Sequence, residues 1–261
     1  MRKFLTAEWR DLLMINYEVD PSLLKDRVPL GTELDLEDGR CYVSLVGFMF
    51  LKTRVLGFPI PFHRNFEEIN LRFYVKRELP DETRRGVVFI KELVPRWAIA
   101  TVARVLYGEP YETAKMWNNN DAGKVQYGAV AAENIFGKGV NTFQATRGDR
   151  LGLAESGSHE EFIIEHFWGY TKRGEMRTDE YKVEHPKWQL NAPRNVKTRV
   201  NFAGWYGKEF YDLRFQQPYS VVLAKGSPVT VYKDLRSKAE NRNGIHRYRR
   251  YRKEFRHWQG W

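Results

Sequence analysis

The stretch that decides the fold runs from His63 to Val75 and reads HRNFEEINLRFYV. From residue 68 onward it alternates strictly, which is the period of a β-strand with one face in an apolar core. One face carries the apolar side chains of Ile69, Leu71, Phe73 and Val75. The other carries the polar side chains of Glu68, Asn70, Arg72 and Tyr74. We predict a strand over 66–77 whose polar face meets solvent or lines a polar cavity.

Strand patterns also dominate the neighbouring sequence. Residues 40–51 are apolar almost throughout, which predicts a strand buried on both faces. The turn at 80–85 joins the opening strand to a β-rich run over 86–94. A last hairpin is predicted over 219–232, with its turn at Lys225-Gly226-Ser227. Turn signals recur about every ten residues, as in sheets built from many short strands.

Helical patterns are fewer. An amphipathic helix is predicted over 96–107, and Ser158-x-x-Glu161 forms a capping box before a helical turn at 160–166. We therefore predict an α+β, β-rich fold. In it, one large antiparallel sheet is curled into a closed or cone-shaped barrel, with a few peripheral helices.

Composition points to a globular protein. Apolar residues make up 42% of the 261 residues, and no window approaches the roughly 18 apolar residues that a membrane span requires. The N-terminal sequence lacks the apolar segment and cleavage site of a signal peptide. The single cysteine, Cys41, fits a reducing compartment and a buried structural thiol. We predict a cytoplasmic location.

The positive charge is concentrated near the C-terminus. Of the net charge of +10, residues 237–261 contribute +6, from eight Lys/Arg against two Glu. We predict a single domain over 1–236 and a basic, aromatic tail over 237–261. The tail interleaves arginines with aromatic residues at 248, 251, 255 and 258. It could pack on the domain as a helix, bind RNA or single-stranded DNA, or bind an anionic membrane surface.

Several segments together resemble the YqjF-like family of bacterial proteins. They are INYEVDPSLLKDRVPLGTELD (15–35), GRCYVSLVGFMF (39–50), FEEINLRFYV (66–75), GVVFIKEL (86–93) and HPKWQLNAP (185–193). The combination of Glu-x-Asn-x-Arg-x-Tyr-Val with a later His-Pro-x-Trp is the most specific part. This family is similar to the acetoacetate decarboxylase-like superfamily, so the resemblance implies a cone-shaped β-barrel with an interior cavity.

The resemblance implies a shared fold but not a shared reaction. Acetoacetate decarboxylase forms a Schiff base on a lysine whose pKa is lowered by an adjacent lysine. This sequence contains no two adjacent lysines. The decarboxylase carboxylate on the strand equivalent to 40–51 is replaced here by Ser44 or a neighbour. Decarboxylation by that route is therefore not expected, because a shared fold does not transfer a reaction.

The candidate ligand site centres on the polar face of the opening strand. Arg72 would grip a carboxylate or other anion bidentately, and Glu68 would orient it or act as a general base. Asn70 and Tyr74 would hydrogen-bond a carbonyl. Further candidates at the cavity mouth or rim are Arg64, His185 and Trp188.

The catalytic candidates are weaker. Lys91 interrupts an apolar run, with Phe89 and Leu93 expected on its face, and Lys115 is a second candidate amine. The alternative is that both lysines reach solvent. No metal-ligand spacing, nucleotide-binding motif or nucleophile elbow is present, so we predict no metal and no cofactor. The leading hypothesis is a small-molecule cavity without proven catalysis. The alternative is a nucleic-acid-associated protein that binds through residues 238–261.

Overall fold

Strands make up most of the chain that the computed structural model describes, which is residues 1–59, 63–95, 110–130 and 140–233. Within these ranges, thirteen strands form one sheet. Their bounds are β1 Arg2–Val19, β2 Glu33–Leu34, β3 Cys41–Val55, β4 Phe58–Pro59, β5 Phe66–Glu78, β6 Thr83–Pro95, β7 Tyr111–Asn118, β8 Lys124–Val130, β9 Val140–Gly152, β10 Trp168–Lys172, β11 Thr178–Glu184, β12 Leu190–Arg199 and β13 Ser220–Lys233. The β-rich class is confirmed.

The described helices are short. Two α-helices cover His159–Ile164 and Phe202–Tyr206, and three 3₁₀ segments cover Pro21–Leu23, Lys25–Arg27 and Lys208–Arg214. The serine half of the capping box is confirmed, since the Ser158 side chain accepts a hydrogen bond from the Glu161 amide at 3.2 Å. The reciprocal bond is not formed, because the Glu161 side chain accepts from the Gly157 amide at 2.7 Å. The helix predicted over 96–107 lies outside the described residues. No helix in the described ranges has both the length and the apolar character needed to cross a membrane.

Strand pairings followed outward from β5 lead back to β5 by two routes. Strands β5, β3, β1 and β13 pair in that order, and β13 pairs with both β11 and β12. One route continues through β11 and β10 to β6. The other continues through β12, β9, β8 and β7 to β6. Strand β6 pairs with β5. A closed barrel remains a prediction.

The expectation of a purely antiparallel sheet is wrong at β6. This strand pairs in parallel with β7 and with β10. Parallel pairing requires a crossover of about a dozen residues or more. The connection over 96–110 between β6 and β7 has that length, and a much longer segment separates β6 from β10. The sheet is therefore mixed.

The strands shared by both routes are buried on both faces. One face of β1, β3 and β5 contributes to a first core that includes Ile15, Val43, Leu71, Tyr127 and Phe143. The other face contributes to a second core, whose members include Met14, Val46, Phe162, Tyr181 and Trp188. The predicted two-sided burial of residues 40–51 is confirmed. The apolar face of β5 lies in the first core, with all four of its side chains fully buried.

The hairpin predicted over 219–232 is wrong. Residues 220–233 form one strand, and β13 pairs with β1 along its whole length, from Asn16 opposite Ser220 to Arg2 opposite Lys233. Gly226 adopts a φ of +77° where the backbone oxygen of Trp9 approaches closely. The glycine therefore allows an irregularity within the strand instead of a reversal of the chain.

We expect Gly47→Ala in β3 to destabilise the fold. A Cβ atom at this position would lie 2.5 Å from Tyr127 Cδ2 and 2.7 Å from Phe143 Cζ. Both rings are buried in the first core, so neither can move aside cheaply. Overpacking of this kind costs roughly 1–3 kcal/mol, measured as a fall in the free energy of unfolding in urea.

Gly123→Ala is the matched control. Its added Cβ would meet Asp121 Oδ1 at 3.6 Å, an ordinary contact distance. We expect its free energy of unfolding to stay within about 0.5 kcal/mol of the wild-type value, as for most surface substitutions. Equal losses in the two variants would contradict the close-packing argument.

Candidate functional site

Three of the four side chains on the polar face of β5 are buried, and Tyr74 among them lies in the second core. Glu68 is 2% exposed and Asn70 is 1% exposed. The Asn70 amide donates a hydrogen bond to Glu68 Oε1 at 2.9 Å. Asn70 Oδ1 is enclosed and has no hydrogen-bond partner among the described residues. Buried polar groups of this kind are costly unless a partner is present, which distinguishes this face from an ordinary strand surface.

Arg72 is the cationic group of this face. It is half-buried, and its Nη2 donates hydrogen bonds to the Ile163 carbonyl at 3.2 Å and to Met14 Sδ at 3.6 Å. Its Nε is enclosed without a hydrogen-bond partner. In the described part of the chain, no carboxylate lies within ion-pair distance of Arg72, whereas most other arginines have such a partner. Among the described residues, its charge therefore has no carboxylate in direct contact.

His185 lies close enough for the Arg72 charge to affect it. Burial is the main reason why its pKa is lowered, and the positive charge of Arg72 lowers it further. Its ring stacks on the buried Trp188 at a centroid distance of 4.1 Å, while the Trp188 indole donates to Ser227 at 2.9 Å. Two of the three predicted rim residues therefore gather near Arg72. The third, Arg64, is exposed in the turn before β5.

A second buried acid was missed by the sequence analysis. Glu92 is 1% exposed and lies directly opposite Asn70 in the β5–β6 pairing. The Tyr111 hydroxyl donates a hydrogen bond to Glu92 Oε1 at 2.9 Å. The sequence contained a sign of this acid, because Glu92 is the one acidic residue in the run 86–95, which is apolar apart from Lys91 and Glu92. Two carboxylates thus flank Asn70 on the same face of the sheet.

A row of polar side chains crosses four neighbouring strands beside this site. Asn16 is directly opposite Ser220 on one side and Ser44 on the other. Their side chains bond in series: Asn16 Nδ2 donates to Ser220 Oγ at 2.8 Å, and Ser44 Oγ donates to Asn16 Oδ1 at 2.6 Å. Ser44 Oγ also lies 2.6 Å from the Tyr74 hydroxyl. We call Tyr74, Ser44, Asn16 and Ser220 the cross-strand row.

A buried histidine–aspartate pair closes the site near Tyr74. His166 Nε2 lies 2.9 Å from Asp35 Oδ2, and Arg85 donates to the same oxygen at 2.7 Å. The His166 ring lies 4.7 Å from the Tyr74 ring. Burial lowers the pKa of His166 to about 4, although Asp35 acts to raise it. No short-range pattern joins residues 35 and 166, which are brought together by the fold.

The lysine candidates do not lie in this site. Lys91 Nζ forms an ion pair with Glu112 at 2.6 Å, and Lys115 is exposed. The prediction that Phe89 and Lys91 share one face of the strand is wrong. A bulge at Ile90 places Phe89 opposite Arg72 and Lys91 opposite Leu71. The alternative that both lysines reach solvent therefore describes them better.

Two further features lie apart from the polar face of β5. Cys41 is buried in the first core, and burial raises the pKa of its thiol to about 11, as a structural cysteine requires. A cavity of about 370 Å³ lies at the other side of the sheet and is lined by residues that include Tyr17, Phe202 and Leu213. Within the described ranges, no group of three or more His, Cys, Asp or Glu side chains is placed to hold a metal ion.

The architecture is that of the acetoacetate decarboxylase-like fold. The structure of acetoacetate decarboxylase from Legionella pneumophila matches with a TM-score of 0.60 over 90% of this chain and 87% of that protein, at 13% sequence identity. The enduracididine biosynthesis enzyme MppR, in its structure complexed with pyruvate, matches with a TM-score of 0.54 over 89% of each chain, at 11% identity. The predicted fold family is confirmed. At these identities the likeness concerns the fold alone.

The sequence itself places the chain in a family. It belongs to the DUF2071 family, described as an uncharacterized conserved protein, whose model matches residues 6–228. The uncharacterized protein YqjF of Bacillus subtilis (strain 168) is 31% identical over 120 residues, which are 46% of this chain and 48% of that protein. The chain thus aligns with about half the length of this relative. The predicted YqjF-like resemblance is confirmed. The tail over 237–261, its nucleic-acid interpretation and the domain boundary at 236 remain predictions outside the described residues.

We expect the burial of His166 to make stability depend on pH. The folded-state pKa of His166, about 4, lies below its ordinary value of 6.5. The unfolded chain therefore binds a proton that the folded chain does not, and stability falls as pH decreases from 6.5 to 4. The loss is on the order of 3 kcal/mol, measured by urea unfolding at several pH values.

The variant His166→Gln tests the source of this fall. Glutamine can still donate to Asp35 but does not titrate, so we expect its free energy of unfolding to change less between pH 7 and pH 4 than that of the wild type. A variant whose stability falls as steeply as the wild type over this interval would assign the dependence to other groups.

Proposed function

We propose that this chain binds a small molecule with an anionic or carbonyl group on the polar face of β5, with Arg72 as the anion-binding residue. The observation that carries the proposal is the half-buried Arg72 guanidinium, which contacts Met14 and Ile163 of the second core and has no carboxylate partner among the described residues. Partial removal of a cation from water is costly when it has no opposite charge in contact. A bound carboxylate would supply the missing counter-charge.

The neighbouring groups suit the remainder of such a ligand. Asn70 Oδ1 is enclosed and unpartnered, so it can accept a hydrogen bond from a hydroxyl or a protonated group. The Tyr74 ring lies 5.7 Å from the Arg72 guanidinium carbon and would limit the site to a small ligand. The stacked rings of His185 and Trp188 form an apolar wall. These features favour a compact 2-keto or 3-keto acid over a large or polyanionic molecule.

The fold comparison supports the same ligand class by analogy. MppR, which shares this fold, has been determined as a complex with pyruvate, a small acid with a carbonyl next to its carboxylate. A shared fold is only a prior on function. Arg72, which has no carboxylate partner among the described residues, carries the greater weight, and pyruvate serves as the first probe.

We expect saturable binding of pyruvate to the wild-type protein and a loss of at least tenfold in affinity for Arg72→Met. Methionine fills a similar volume without the charge, so the ion pair with the carboxylate is removed. Isothermal titration calorimetry with pyruvate and acetoacetate measures both affinities. The same loss with a neutral ketone of equal size, such as 3-methylbutan-2-one, would show that the charge is not what binds.

Arg177→Met is the matched control. Arg177 carries the same charge but is paired with Asp179 at 2.8 Å in an exposed hairpin. We expect its affinity for pyruvate to equal that of the wild type. An equal loss in both variants, or no binding of any keto acid to the wild type, would refute the proposal.

We further expect no Schiff base with these ligands. Reduction with borohydride in the presence of pyruvate should leave the mass of the protein unchanged, because Lys91 is paired with Glu112 and Lys115 is exposed. Intact-mass spectrometry makes the measurement. A stable adduct that disappears in Lys91→Ala or Lys115→Ala would instead assign amine chemistry to that lysine.

A further inference from the structure

Three side chains at one end of the cross-strand row have the arrangement of a nucleophile, a base and an orienting acid. Ser220 Oγ lies 2.6 Å from His159 Nε2. The other ring nitrogen, His159 Nδ1, contacts Glu37 Oε2. These residues lie on β13, on the short helix after β9 and in the turn before β3, so the fold brings together parts of the chain up to 183 positions apart.

The contact with Glu37 sets the roles of the two ring nitrogens. An ionised carboxylate only accepts hydrogen bonds, so His159 Nδ1 must carry the proton. In the neutral imidazole, Nε2 is then the unprotonated acceptor that faces the Ser220 hydroxyl. This is the tautomer in which a histidine can remove a proton from a serine.

Asn16 holds the Ser220 hydroxyl in place. Its amide is fully buried and donates to Ser220 Oγ at 2.8 Å, while its oxygen accepts from Ser44. The position of Asn16 is therefore fixed from both sides. Because Ser220 Oγ accepts this hydrogen bond, its own hydrogen is left to face His159 Nε2.

Aromatic rings pack around the imidazole, and the triad side chains are partly exposed. The His159 ring meets the Tyr42 ring at 5.1 Å and the Tyr219 ring at 5.2 Å, both edge to face. The His159 and Glu37 side chains are each 18% exposed, and Ser220 is half-buried. Tyr219 is 46% exposed and lies under the Arg40 guanidinium at 5.1 Å. A small substrate can approach beside this ring.

We propose that Ser220, His159 and Glu37 form a nucleophilic triad that hydrolyses carboxylic esters with a small acyl group. Ser220 Oγ attacks the ester carbonyl carbon as His159 Nε2 takes its proton. The tetrahedral intermediate collapses when the carbon–oxygen bond to the alcohol breaks, and His159 returns the proton to the leaving alcohol. Water, activated by the same nitrogen, then cleaves the acyl-Ser220 ester and releases the carboxylic acid. Glu37 holds the imidazole tautomer throughout.

The decisive experiment is labelling of the full-length protein with a fluorophosphonate, which reacts with activated serines. We expect one adduct by intact mass and its location at Ser220 by peptide mapping. We expect His159→Gln to slow the labelling by at least about 100-fold, the usual range for removal of a general base. We expect Glu37→Gln to slow it by a smaller factor, because this residue acts through His159.

Two controls test whether labelling reports an activated Ser220 hydroxyl or only an accessible serine. Ser22→Ala removes an exposed serine outside the triad and should leave the labelling rate unchanged. Wild-type protein unfolded in urea should not be labelled at Ser220, since the triad exists only in the folded chain. Mapping of the wild-type adduct decides the proposal even if Ser220→Ala does not fold.

The results that would overturn the triad are specific. They are folded wild-type protein without an adduct at Ser220, or an adduct that forms equally fast in His159→Gln. Hydrolysis of p-nitrophenyl acetate should agree, with a loss of the Ser220-dependent rate in His159→Gln. The proposal does not depend on keto-acid binding, so Arg72→Met should still be labelled at Ser220.

Discussion

Burial of both faces of β1, β3 and β5 is the constraint on which the rest of the structure depends. A strand with one wet face can place its polar residues in water. The central segments of these strands cannot, because one face packs on the first core and the other on the second. Each polar side chain buried on these segments must find a partner inside the protein. The alternation of residues 68–75 thus places apolar side chains in the first core and polar side chains on the opposite face of the sheet, which we call the polar interior.

The polar interior meets this requirement unevenly. In the cross-strand row, every hydroxyl and amide heavy atom is bonded to the next. Along β5, hydrogen bonding is incomplete. Asn70 Oδ1 and Arg72 Nε are enclosed and have no hydrogen-bond partner among the described residues. A buried hydrogen-bond network makes a core more rigid when all its partners are present. Buried polar atoms without a partner destabilise the fold, and they often occur at functional sites. That contrast is why the ligand proposal centres on Arg72.

The fold explains how one scaffold holds different chemistries. The two routes of strand pairing share β5, β3, β1 and β13, which carry Arg72, Ser44, Asn16 and Ser220. The chain has no adjacent lysine pair, and Lys91 and Lys115 lie away from the polar face of β5. Ser44 stands opposite Arg72 on the neighbouring strand. The architecture is therefore that of the acetoacetate decarboxylase-like fold, while the interior side chains are its own.

The sequence by itself determined the local features: the period of β5, the burial of 40–51, the helix cap at Ser158 and the family. These depend on residues near one another in the chain, where alternation and capping leave a readable pattern. The tertiary structure decided the rest, including the parallel neighbours of β6, the single strand at 220–233, and the meetings of Asp35 with His166 and of Glu37 with Ser220 through His159. Such contacts join residues far apart in sequence, and no short-range pattern records which strands will be neighbours.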